Sequence, residues 1–84
     1  MTDVNEIIEK VRECNDEIGG YSEEGTQRLK DIENLLRNFN EENRKKALEL
    51  VTETFNSMAP YESYVPTSHK NFKFVKEWLE QTKV

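Results

Sequence analysis

The chain reads as all-α, a small antiparallel bundle of four helices over about 3–18, 23–39, 41–58 and 69–82. Three features predict it. Apolar residues recur at three- and four-residue steps through four separate stretches, the repeat of a helix that buries one face. Between those stretches stand Gly19-Gly20, Asn40, and a segment holding Pro60 and Pro66, residue types that punctuate helices. No alternating run is long enough for a strand, and Lys73-Phe74-Val75, the nearest, is too short.

In the first segment Val4, Ile7, Ile8, Val11, Cys14 and Ile18 fall within an arc of about 120° at 100° per residue. Thr2 or Asp3 offers a capping oxygen to the first-turn N–H groups. Gly19-Gly20 ends the segment, because glycine accepts the left-handed conformation that often follows a helix. Glu6, Glu9, Glu13, Asp16 and Glu17 occupy the opposite, outward face. In the second segment Ser22 is a natural N-cap with Glu23 and Glu24 in the first turn, where acids suit the helix dipole. Gly25 weakens that turn and lets the start slip to Thr26. Leu29, Ile32, Leu35, Leu36 and Phe39 form its stripe.

The polar stretch from Asn40 to Lys46 predicts a corner rather than one long helix, since a buried stripe would not lapse for two turns. Asn40 then caps the third segment ahead of Glu41 and Glu42. Its first turns, EENRKK, read as solvated. Ala47, Leu48, Leu50, Val51, Phe55 and Met58 form a wider stripe, with Leu50 at its edge. Residues 59–67, APYESYVPT, read as a loop. Thr67 or Ser68 caps the last segment, where Phe72, Val75 and Leu79 face inward, Trp78 lies to one side and Phe74 falls nearer the rim.

At 84 residues, 35% hydrophobic and 35% charged, the chain is sized and composed as one globular domain. No apolar run approaches the roughly 20 residues of a membrane span. The start MTDVNEIIEK lacks a basic region followed by an apolar one, so no secretory signal is expected. A single cysteine excludes an internal disulfide and fits a reducing, cytoplasmic setting. The net charge of −5 is uneven. Residues 1–24 hold eight acids against two bases, a net of −6, and the rest holds nine against ten, a net of +1. Direct nucleic-acid binding, which needs clustered Lys and Arg, is disfavoured, and a basic protein partner is favoured.

Catalytic chemistry is not evident. Cys14 sits on the inner stripe as a small hydrophobe, and His69, in the first turn of the last helix, reads as a solvated surface residue. No combination of His, Cys and acids has metal-ligand spacing, and GGYSEEG lacks the Lys-Ser/Thr of a phosphate loop. The expectation is a non-enzymatic protein without metal or cofactor. Three surfaces invite a partner: the acidic face of the first segment, the loop with Tyr61, Glu62 and Tyr64, and Phe74. Tyrosine suits binding because it buries a large area at little rotamer cost and keeps a polar tip.

Residues 41–66 and Phe74-Val75-Lys76-Glu77-Trp78 resemble the immunity proteins of nuclease colicins. The likeness rests on Glu41, Glu42, Leu50, Val51, Phe55, Met58 and Pro60, then Tyr64 and Pro66, then Val75, Lys76 and Trp78, about half the chain. It departs from that family in having Val65 between Tyr64 and Pro66, no aspartate-rich loop before the last helix, and an added first helix. The resemblance implies an acidic four-helix protein that holds a basic nuclease, with the contact on Glu41, Glu42, Glu49, Tyr61, Glu62 and Tyr64.

Two functional expectations follow. The first is a small acidic inhibitor of a basic protein, of immunity, antitoxin or phage-inhibitor type, using those residues and Phe74. The second is a homo-oligomeric helical module, a homodimer for instance, assembled through Leu50, Phe74 and Trp78.

Overall fold

Asp3 begins the first helix by accepting the Glu6 amide on its side chain at 3.1 Å. The structure, a computed structural model, describes residues 3–19 and 23–83. Thr2, Gly20 and Ser22, read above as capping or terminating residues, lie outside the described residues. Helices run over α1 (Val4–Arg12), α2 (Asn15–Ile18), α3 (Glu23–Arg37), α4 (Glu41–Met58) and α5 (Pro66–Gln81), with a 3-10 turn at Ala59–Tyr61. No strand occurs among the described residues. The fold is all-α, a four-helix bundle in which α1 and α2 together make the first arm. α3 packs on α1 and α4, and α5 packs on α4 and α1, so the arms close into a ring.

The first arm is broken where one helix was expected. The Cys14 amide donates to Val11 O at 3.1 Å, a tightened turn, and the Lys10 carbonyl is left without its usual backbone donor. Asn71 of α5, a buried residue, donates to that carbonyl from Nδ2 at 2.9 Å, and the Cys14 thiol donates to it at 3.4 Å. A side chain inserted at a freed carbonyl is one of the recognised causes of a helix kink. The local sequence Asn15-Asp16 favours it too, since both residues are weak helix formers in an interior. Gly19 ends α2 with φ of −59°, in the right-handed region rather than the expected left-handed one. Its role is close approach: a Cβ there would stand 2.6 Å from the Asn15 carbonyl oxygen.

The kink turns Glu17 toward α5, and this overturns two expectations. α5 begins at Pro66, three residues before the predicted start, so Thr67 and Ser68 lie inside its first turn rather than capping it. Proline at the first helical position is pre-set for that conformation and lacks an N–H to satisfy. The N-cap residue Val65 has no side-chain acceptor. Glu17 supplies one from across the bundle, accepting the Ser68 amide at 2.6 Å and the Thr67 amide at 3.2 Å. Glu17 is therefore half-buried and structural, not part of an outward acidic face.

The corner between α3 and α4 forms as expected. Asn40 Oδ1 accepts the Asn43 amide at 2.8 Å, and Asn43 Nδ2 donates to Asn38 O at 2.7 Å. Phe39 falls just past α3 and packs on Trp78, with ring centroids 5.5 Å apart. The EENRKK turns are not wholly solvated. Arg44 grips Glu41 with Nε at 2.6 Å and Nη2 at 3.0 Å, and donates from Nη1 to Leu79 O at 2.7 Å. It thereby ties the start of α4 to the end of α5. The core is Ile7, Ile8, Val11, Cys14, Leu29, Ile32, Leu36, Ala47, Val51, Met58, Val65, Phe72, Val75 and Leu79. α1 and α3 are also joined outside it, where Glu33 accepts from Arg12 Nε at 2.9 Å and from Arg37 Nε at 3.0 Å.

Burial alone would push the Glu17 carboxyl up, but hydrogen bonds from Ser68 and then Thr67 outweigh it and hold the group below its ordinary value. A carboxyl held low in the fold adds stability that is complete above its unfolded value of about 4.3 and is lost as pH falls through the folded value. Glu17→Ala should cost about 1 kcal/mol, the usual effect of removing an N-cap, and lower Tm by roughly 4–8 °C at neutral pH. Its deficit relative to wild type should shrink in thermal melts taken toward pH 3, where the wild-type carboxyl is also protonated. A second pair of variants tests the kink. Asn71→Ala leaves the Lys10 carbonyl with only the weak thiol donor of Cys14 and should cost about 1 kcal/mol in denaturant unfolding. Ser68→Ala removes a buried hydroxyl that lies beside the Glu17 carboxylate, and should bring the Glu17 carboxyl closer to its ordinary value, which an NMR pH titration would measure.

Candidate functional site

Tyr61 and Tyr64 are 61% and 68% exposed, the most exposed large apolar side chains of the described residues. They do not lid the core. Met58 at the end of α4 and Val65 before α5 are buried instead, and the short turn between them carries the tyrosines outward. That turn is held by backbone bonds from the amides of Tyr64 and Val65 to Tyr61 O, at 2.8 and 3.2 Å. The tyrosines flank one side of an open groove of about 740 Å³ between α3 and α4, whose walls include Ile18, Arg28, Thr54 and Met58. Its size is that of a site for a small molecule or for one large side chain of a partner. Arg28 on its wall is paired with Glu24 at 3.5 Å.

Glu62 points away from the groove, toward α5. Its Oε2 lies 3.4 Å from His69 Nε2. His69 is accordingly not the solvated residue expected from its place in the first turn. It is half-buried and stacks on Phe55 with ring centroids 4.8 Å apart. Position 69 stands one turn before Phe72 on the same side of α5, and that side packs against α4. Cys14 stands elsewhere, wholly buried against the Lys10 carbonyl, so it and His69 engage separate partners. Burial pushes the Cys14 thiol up to about 11.

The remaining predicted contact residues divide. Glu42 and Glu49 are exposed on the outer side of α4, with Glu53 on the same line one turn beyond Glu49. Glu42 pairs with Lys46 at 3.2 Å. Glu49 and Glu53 make no ion pair among the described residues. Glu41 is rotated toward α5 and gripped by Arg44, whose hydrogen bond and charge hold its carboxyl below the ordinary range. Phe74 is 40% exposed and lies on the α1 side of α5, where Lys10 Nζ sits 5.0 Å from its ring centroid. It shares no face with the tyrosines. Leu50 is half-buried on α4, and Trp78, one turn beyond Phe74 on α5, is half-buried against Phe39.

Among the described residues no group of three His, Cys, Asp or Glu side chains is placed to hold a metal ion, and no helix is long and apolar enough to cross a membrane. No family model, characterised protein or solved structure matches the chain. The groove was not visible in the linear pattern, because its walls come from three elements whose registers are set by packing. Its one sequence signal was Ile18 and Met58, apolar residues at the very ends of their stripes. Cys14 should resist a thiol reagent such as DTNB in the native state and react at the rate of unfolding, which a denaturant series with parallel labelling would measure.

Proposed function

We propose that this chain is a small non-enzymatic binding protein that occupies and inhibits a basic protein partner, in the manner of an immunity protein, antitoxin or phage-encoded inhibitor. The observation that carries the reading is the pair of exposed tyrosines at the lip of an apolar groove. A side chain from the partner enters the groove between Ile18, Met58 and the tyrosine rings, where apolar contact and aromatic area give short-range affinity. The net charge of −5 and the unpaired acids Glu49 and Glu53, on the line of α4 that leads to the groove, steer a basic partner to that end of the helix. Glu41 acts within the fold, through Arg44, and is left out of the contact.

The test is capture by immobilised protein from a lysate of its source cells, comparing wild type with Tyr61→Ala, Tyr64→Ala and Glu49→Lys at low and high salt. One stoichiometric basic protein should be retained by wild type and released at high salt, since exposed charges are screened. Each tyrosine variant should weaken its binding by about 30-fold, the effect of losing a hot spot of about 2 kcal/mol. Glu49→Lys should slow association more than it speeds dissociation. Retention undiminished in the Tyr61→Ala/Tyr64→Ala double variant would sink the reading.

A further inference from the structure

We propose that the α5 face centred on Phe74 binds a second copy of this chain, in a two-fold contact with the two α5 helices antiparallel. Phe74 lies near the middle of a 16-residue helix and is 40% exposed. Lys70 and Glu77 fall on the same side of α5, within an arc of about 60° with Phe74 at 100° per residue. All three are exposed. The order along the face is thus positive, aromatic, negative. A two-fold axis through Phe74 reverses that order in the second copy. Phe74 then meets Phe74, and each Lys70 meets Glu77 of the other copy. An isologous interface needs this self-complementarity.

Lys10 of α1 sits over one side of the Phe74 ring, 5.0 Å from its centroid, but the charges α5 itself presents on this face are unspent. Lys70, Lys73 and Glu77 make no ion pair among the described residues, whereas Lys76, one position away, holds Glu80 at 3.1 Å. Lys73 and Glu77 have the same i, i+4 spacing as Lys76 and Glu80 but do not pair. On the adjoining edge of α1, Glu6 and Glu13 flank Lys10 and also lack an ion pair. They add negative charge beside the lysines a second copy would bring. The surface is small, one helix and one bordering edge, so the dimer is weak and forms as concentration rises. It lies away from Tyr61 and Tyr64, leaves the groove open and does not depend on the partner reading above.

Sedimentation equilibrium of the full chain over rising concentration tests this, with far-UV circular dichroism confirming that each variant is folded. Wild type should move from monomer to dimer, more weakly at high salt. Phe74→Asp, at an exposed position, should remain monomeric, and Phe74→Ala provides a milder version of the same loss. Lys70→Glu and Glu77→Lys should each weaken dimerisation by about tenfold through like charges. Mixing those two variants should restore association, since one then presents two acids and the other two lysines. The proposal is overturned by a wild type that stays monomeric to about 1 mM, the weak end of specific association. It is equally overturned by a dimer that persists in Phe74→Asp, or by a mixture that associates no better than its two components.

Discussion

One carboxylate sets the geometry of the seam between the first arm and the last helix. Val65-Pro66 starts α5 abruptly and offers no acceptor of its own, so the amides of Thr67 and Ser68 would face only water. Glu17 fills that need from α2, and it reaches α5 only because the first arm breaks before it. The break leaves the Lys10 carbonyl bare, and Asn71, one turn along the same α5, takes it up. The two contacts are reciprocal: α2 caps α5, and α5 caps α1. Phe72, Val75 and Leu79 are aligned over the core by a helix whose start and pitch are fixed in this way.

The same contacts change the meaning of the chain's acidity. Of the acids among the first 24 residues, Asp3 and Glu17 serve as caps, Glu9 pairs with Arg12 and Glu24 pairs with Arg28. The negative field is therefore partly internal wiring, and its unpaired remainder is spread around the molecule. Exposed pairs of this kind contribute little stability individually. Glu33, shared between Arg12 and Arg37 and held below its ordinary value chiefly by the Arg12 hydrogen bond, is the one that bridges helices. What remains for steering is overall charge and the line along α4.

The stripes of α1, α3, α4 and α5 could be read from spacing because each helix buries one face, and the bounds of α4 could be read because Asn40 and its polar first turn are local signals. The start of α5 could not. Its cap comes from a residue 51 positions away, and propensity reasoning assigned the nearest Ser and Thr instead. His69, three residues before Phe72, shares its side of the helix, and that spacing rather than its place in the first turn was the signal for its stacking on Phe55. The absence of a good capping residue before Pro66 was a usable clue that an acceptor would come from elsewhere. Exposure of the tyrosines was legible, since they belong to no stripe. Their separation from Phe74 and the groove beside them were not, because both depend on which side of each helix meets which neighbour. Arg44 shows the limit of composition: it lies in a run of charges, yet its stem packs and its guanidinium reaches Leu79 O.

The long reach of the seam also bears on how the chain folds. Contacts between α3 and α4 and between α4 and α5 join neighbours in sequence, so they close small loops. The Glu17–Ser68 and Lys10–Asn71 bonds span 51 and 61 residues. Contacts of α1 and α2 with α3 are of the same local kind, so loop-closure entropy sets the seam with α5 apart from every other helix pairing in the bundle. Glu17 and Asn71 are thus the clasp that joins the two ends of the chain, and a single cut there lengthens every remaining route between the first arm and the last helix.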